Sequence, residues 1–138
     1  MTDYRTSLVG AMTVALVFAA GYAAGQRSVP KENVGQSQEQ LRTMDLNAEV
    51  PSTIGRTLRM RKITVQPGGV LGLHNHVDRP AMTYLLQGQM TYHPEGKPPV
   101  VINAGEGAAE GRATTHWAEN TGKVPAVWIA VDVFNPQQ

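Results

Sequence analysis

After Pro51, glycines and prolines interrupt the chain so often that no window of about 11 residues keeps an apolar stripe at helical spacing. A chain punctuated this way is confined to short strands and turns. The β-prone runs between the breaks are TLRMRKITV ahead of Pro67-Gly68-Gly69, VLGLHNHV ahead of Asp78-Arg79-Pro80, and MTYLLQ ahead of Gly88. GQMTYH, PPVVINA, TTHWAEN and AVWIAVDVF follow, again with Gly-rich or Pro-rich turns between them. About eight strands fit this spacing, that of a small all-β sandwich or barrel.

Composition narrows the function. A net charge of +1 and an aromatic content of 6% give neither the basic footprint nor the stacking platform of a nucleic-acid binder. The absence of cysteine excludes disulfide scaffolds, thiol catalysis and Cys-ligated zinc. Any metal must be held by nitrogen or oxygen.

The N-terminus reads as an address. Residues 6–26 carry no charge, and residues 8–24 consist only of Leu, Val, Ala, Phe, Met, Gly, Thr and Tyr. Arg5 precedes this span and the small-residue end Gly21-Tyr22-Ala23-Ala24-Gly25 closes it. The pattern predicts a hydrophobic helix within residues 1–25, either a signal peptide cleaved after Ala23 or Gly25 or a retained membrane anchor. In both cases the remainder is exported, to the periplasm or another extracytoplasmic space, and residues 8–24 are its one contact with a membrane. Residues 26–50 are rich in Gln, Ser, Asn and charge, with apolar residues too scattered for a helix face, and read as a polar linker. The compact domain is expected over 51–138.

His74 and His76 are one residue apart inside a β run, and the period of two in a strand points both imidazoles to one face. Such a pair needs a third ligand. Gly68 precedes His74 by six positions and Gly88 follows His76 by twelve, while Gly105, His116 and Asn120 form a second pattern, Gly-x10-His-x3-Asn. Together these resemble the two motifs of the cupin family. The first, G-x5-H-x-H-x(3,4)-E-x6-G, is matched by Gly68, His74, His76 and Gly88; the second, G-x5-P-x-G-x2-H-x3-N, by Gly105, His116 and Asn120. The resemblance spans residues 56–134. It implies a cupin-type jelly-roll β-barrel with one divalent metal, Fe, Mn, Ni, Cu or Zn, held by His74, His76 and His116. It further implies a dioxygenase-like, isomerase or lyase reaction on a small organic molecule, or else non-catalytic capture of a small ligand or metal.

The chain departs from the motifs at three places. Ala81 stands at the Glu position of the first, and Gly111 and Ala113 at the Pro and Gly of the second. The site is then left with three His, as in the three-His subgroup of cupins, with open positions where water, dioxygen or a chelating substrate would bind. Asp78 shares the strand parity of His76 and Glu110 that of His116, so each is a candidate to replace the missing carboxylate. His93, beside Pro94 and outside both motifs, reads as solvent-facing. Asn120 reads as a turn-fixing amide.

Two further expectations concern surfaces. Arg56, Arg59, Arg61 and Lys62 read as an exposed strand edge kept soluble by charge. With Ala81 facing the metal, Thr83 and Leu85 face the same way, giving a small, apolar wall suited to an uncharged ligand. Met82, Tyr84 and Leu86 then lie on the opposite face as the candidate contact of a homodimer.

Overall fold

The computed structural model describes residues 28–136. The hydrophobic helix expected within residues 1–25 lies outside them. Among the described residues no helix is long and apolar enough to cross a membrane. The described residues form eight strands: β1 (Val34–Asp45), β2 (Thr57–Asn75), β3 (Ala81–Gln87), β4 (Gln89–Pro94), β5 (Val100–Asn103), β6 (Gly107–Glu110), β7 (Thr115–Glu119) and β8 (Ala126–Phe134). They pair antiparallel in the order β5-β4-β7-β2-β8-β3-β6, with β1 added against β2. The result is an all-β, nearly closed barrel consistent with a jelly roll.

The runs before and after Pro67-Gly68-Gly69 form one strand of 19 residues rather than two. Proline and glycine here bend the strand instead of ending it. Gly68 takes φ 75°, a conformation that costs a side-chain-bearing residue energy. The bend is tied to the end of β7, because the Gly68 amide donates to the Asn120 carbonyl at 2.9 Å and the Asn120 amide to the Gly69 carbonyl at 2.9 Å. Before the bend β2 pairs with β8, from Thr57 opposite Phe134 to Val65 opposite Ala126. Beyond it β2 pairs with β7, with His74 opposite His116.

Residues 34–45 correct the expectation of a polar linker over 26–50. They form β1, twelve residues laid along β2 from Val34 opposite Val70 to Asp45 opposite Thr57. Its side chains are exposed at nearly every position, so backbone hydrogen bonds hold it rather than an apolar face. A strand with polar side chains on both faces carries no alternation for the sequence to betray. β6, only four residues of Gly, Ala and Glu, was equally silent. The chain reaches the expected strand number by a different division.

β2 is flanked by β1 and β8 over its first half, so its basic residues do not mark an exposed edge. Arg59 and Arg61 converge on Asp132 of β8, a residue only 1% exposed. Arg59 bonds it through Nε at 3.0 Å and Nη2 at 2.8 Å, Arg61 through Nη2 at 3.0 Å, and Arg79 through Nη1 at 3.2 Å. Arg59 also stacks on Phe134, 4.0 Å from the ring centroid. The apolar core, which includes Val65, Leu85, Met90, Tyr92, Ala118 and Trp128, fills the barrel beside this cluster.

Burial pushes the Asp132 carboxyl up, but the Arg59 hydrogen bonds and the charges of Arg61, Arg59 and Arg79 outweigh it and hold the group below its ordinary 3.8. This contribution to stability is fully present above that ordinary value and is lost as pH falls through the lower value of the folded state. Asp132→Asn, which keeps the shape and leaves three guanidinium groups uncompensated, should cost about 3 kcal/mol in urea unfolding at pH 7. The gap to the wild type should close in strong acid; equal midpoints at neutral pH would show that the carboxylate stabilises nothing.

Candidate metal centre

His74 reaches the barrel interior from the last turn of the β2 ladder, His116 from its partner position on β7, and His76 from just beyond the strand end. The amide of His76 donates to the Thr114 carbonyl at 2.9 Å, which holds the residue against β7 although β2 stops at Asn75. The spacing of one residue thus works as expected. All three candidate ligands converge.

The Nε2 atom of His116 lies 3.1 Å from that of His74 and 3.2 Å from that of His76. The three donor nitrogens fall within 4.8 Å of one another. Nitrogens bound to one ion at about 2.0–2.1 Å sit roughly 2.9–3.4 Å apart, so the two close separations suit a common cation. The tautomers point the same way. Nδ1 of His74 faces the Gly72 carbonyl at 2.8 Å and Nδ1 of His76 the Arg79 carbonyl at 3.0 Å. A carbonyl accepts only, so each Nδ1 must carry the proton and each neutral ring turns a bare Nε2 lone pair towards the others. Nε2 of His116 lies within 3.2 Å of both, an arrangement that a shared cation satisfies.

Electrostatics keep the rings neutral. Burial lowers His116 to about 3, with His74, His76 and Arg79 adding to the effect. Burial lowers His76 to about 4 against the opposing Arg79 carbonyl, helped by the charges of His74 and Arg79. His74 is lowered too, first by burial and then by Arg79 and Arg61, with the Gly72 carbonyl opposing. Free imidazole donors are what a divalent metal requires.

Of the two candidate carboxylates, the structure brings one to the histidines. Glu110, at the end of β6 and 7% exposed, lies with Oε2 3.4 Å from His76 Nε2 and Oε1 3.7 Å from His116 Nε2. Burial raises it to about 7 against the Tyr92 hydrogen bond and the charges of Arg79 and Arg61, which pull it down. Tyr92 stacks on His116 with ring centroids 5.0 Å apart and donates its hydroxyl to Glu110. Asp78 is instead engaged by Arg56 at 2.6 Å, away from the three rings. His93 lies outside the cavity, stacked on Trp117 at 3.7 Å and bonded to Glu119 at 3.1 Å, more engaged than a solvent-facing residue. Asn120 is fully buried and spans the turn, donating to the Val65 and Val124 carbonyls at 2.9 Å each and accepting from the Gly122 amide at 2.9 Å.

The histidines open onto a cavity of about 380 Å³. Ala81 and Thr83 line it as parity predicts, while Leu85 belongs to the core. The wall is not apolar, however: Arg61, Arg79 and Lys31 also line it. Three guanidinium groups share the single carboxylate of Asp132, leaving the cluster two positive charges in excess. Arg61 Nε is buried with no hydrogen-bond partner among the described residues. The signal for this wall was present in the sequence, since Arg59 and Arg61 share the inward parity of Ile63 and Val65. Composition alone hid it.

A family model described as a cupin domain matches residues 61–132. A curated oxalate-binding protein of Thermotoga maritima is 33% identical over 73 residues, covering 53% of this chain and 60% of that protein. The chain thus spans about three fifths of the length of the curated relative it matches. Among solved structures, one described as a predicted oxalate decarboxylase from Thermotoga maritima matches with a TM-score of 0.58 at 23% identity, covering 78% of this chain and 94% of the other. The KdgF protein of a Halomonas species matches with a TM-score of 0.58 at 16% identity, over 72% of this chain and 78% of its own. With a family match over just over half of its 138 residues, on a barrel that gathers the three motif histidines at one point, the chain belongs to the cupin family.

Proposed function

We propose that this cupin holds one divalent metal through His74, His76 and His116 and takes a small carboxylate anion of the oxalate class into the cavity above it. The observation that carries the reading is the convergence of three Nε2 atoms, those of His74 and His76 bare, in a cavity walled by Arg61 and Arg79. The oxalate-binding relative supports the ligand class. A bound metal would supply Lewis acidity towards a carboxylate, or redox chemistry if it were Fe, Mn or Cu.

The chain's own groups divide the remaining work. Arg79 and Arg61 attract and orient the anion through charge-assisted hydrogen bonds, and the buried Arg61 Nε is a donor still wanting an acceptor. Ile63, Leu71 and Trp128 line the cavity and keep bulk water from the ligand. Glu110 places a carboxyl group beside the histidines, with Oε2 3.4 Å from His76 Nε2. An ionisable group at the metal donors supports turnover, of a lyase or dioxygenase-like kind, over simple capture. Non-catalytic binding is the second reading, favoured by the name of the oxalate-binding relative.

Metal analysis and calorimetry test the proposal. The wild type should carry about one metal per chain and bind oxalate only when loaded, and His74→Ala with His76→Ala should lose both. Arg79→Gln should keep the metal and weaken oxalate roughly tenfold or more, the value of one charged hydrogen bond. Oxalate consumed by the loaded wild type identifies an enzyme, stable binding without consumption a binder. Metal loading that leaves oxalate unbound would sink the ligand class.

The pH dependence follows from the depressed imidazoles. A His of ordinary value near 6.5 yields its metal as pH falls through 6, because protons compete for Nε2. Here His76 near 4 and His116 near 3 stay unprotonated well below that. Metal retention after dialysis should persist at pH 5.5 and collapse below about pH 4; loss already at pH 6 would contradict it.

The uncharged span over residues 8–24 supports action outside the cytoplasm. Met82, Tyr84 and Leu86, at 67%, 50% and 52% exposure on the outer face of β3, support a homodimer. Cell fractionation of the full chain, followed by sedimentation of the purified protein, should find it in the membrane or periplasm with the mass of two chains. A cytosolic monomer would refute both.

A further inference from the structure

Glu110 and Ala81 are cross-strand partners in the β3–β6 ladder. Ala81 is the position at which the family motif has its Glu, and it is buried beside the histidines in the cavity wall. Residues directly opposite on antiparallel strands have Cβ atoms about 4.5–5.5 Å apart and project to the same face. A carboxylate moved from one to the other therefore enters the same space from the neighbouring strand.

The separations distinguish a ligand from a hydrogen-bond partner. Glu110 stands 3.4 Å from His76 Nε2 and 3.7 Å from His116 Nε2. Both exceed the roughly 2.7–3.2 Å of a good N–H···O bond. They resemble the spacing between donor atoms that surround one ion, as do the 3.1 and 3.2 Å between the imidazole nitrogens. Tyr92 serves both donors, with its ring stacked on His116 and its hydroxyl bonded to Glu110. A residue that orients two members of a set in this way is what metal ligands commonly have behind them.

We infer that Glu110 has taken over the carboxylate position vacated at Ala81, so that the site is three histidines and one glutamate with the acid supplied from β6 instead of β3. The inference rests on the metal reading above. Tyr92 is a positioning residue in this arrangement.

Titration of the metal-free full chain with Mn²⁺ and with Zn²⁺, against a competing chelator, tests it without any turnover. A carboxylate oxygen favours Mn²⁺ more than it favours the softer ions, so Glu110→Gln should weaken Mn²⁺ at least about tenfold and Zn²⁺ less. Ala81→Glu introduced into Glu110→Ala should recover Mn²⁺ affinity, because it returns the acid to the opposite side of the same ladder rung. Far-ultraviolet circular dichroism checks that each variant folds. If folded Glu110→Gln and Glu110→Ala hold Mn²⁺ as tightly as the wild type while His74→Ala with His76→Ala loses it, the inference fails and the three-His site stands. If the wild type binds neither ion, the metal reading itself fails.

Discussion

The bend of β2 at Pro67-Gly68-Gly69 is the constraint on which the site depends. One strand must serve two partners, β8 before the bend and β7 beyond it, and the change of partner sets His74 opposite His116. Asn120 secures the bend through its backbone to Gly68 and Gly69 and through its side chain to the Val65 and Val124 carbonyls. A residue four positions past His116 thus fixes the approach of the strand that bears His74. The two motifs, the first ending at Gly88 and the second beginning at Gly105, are one mechanical unit joined by these bonds.

The second constraint is electrostatic. Three imidazoles packed within 4.8 Å would share protons and swell the site if they were free to charge. Burial and the arginines forbid it, and the arginines are tolerated only because Asp132 lies at their centre, fully buried on β8. The same guanidinium groups that keep the rings neutral line the cavity. One cluster therefore prepares the metal donors and selects the sign of what approaches them.

Much of this was legible in the residues. Glycine and proline punctuation gave the all-β class, the spacing of His74 and His76 gave a chelating pair to which the cupin resemblance added His116, and parity along β3 separated Ala81 and Thr83 from Met82, Tyr84 and Leu86. What failed did so for physical reasons. β1 has no apolar face, and a strand held by its backbone alone leaves no periodic trace. Pro67-Gly68-Gly69 reads as a strand end unless the carbonyl and amide of Asn120, some fifty residues on, are known to brace it. Arg59 and Arg61 read by their spacing in sequence as charge on a surface, whereas their alternation with Ile63 and Val65 places them on the inner face. Glu110 and Asp78 have equal standing by parity; the β3–β6 register brings Glu110 to the site while Arg56 holds Asp78 away from it.

That register also explains why the acid's strand matters. Glu110 and Tyr92 line a second cavity of about 300 Å³, bounded by Val100, Ile102 and Ala109, as well as the cavity with the arginines. The acid thus stands in the partition between two spaces. A glutamate at residue 81 would instead project from the wall that Ala81 now keeps small, occupying room beside Arg79 and meeting any anion with like charge. Carrying the acid on β6 leaves the Ala81 side open to an anion while a carboxyl group remains within 3.7 Å of two imidazoles. Exchange of one residue for its cross-strand partner preserves the chemistry of the donors and changes only the direction from which the cavity is filled.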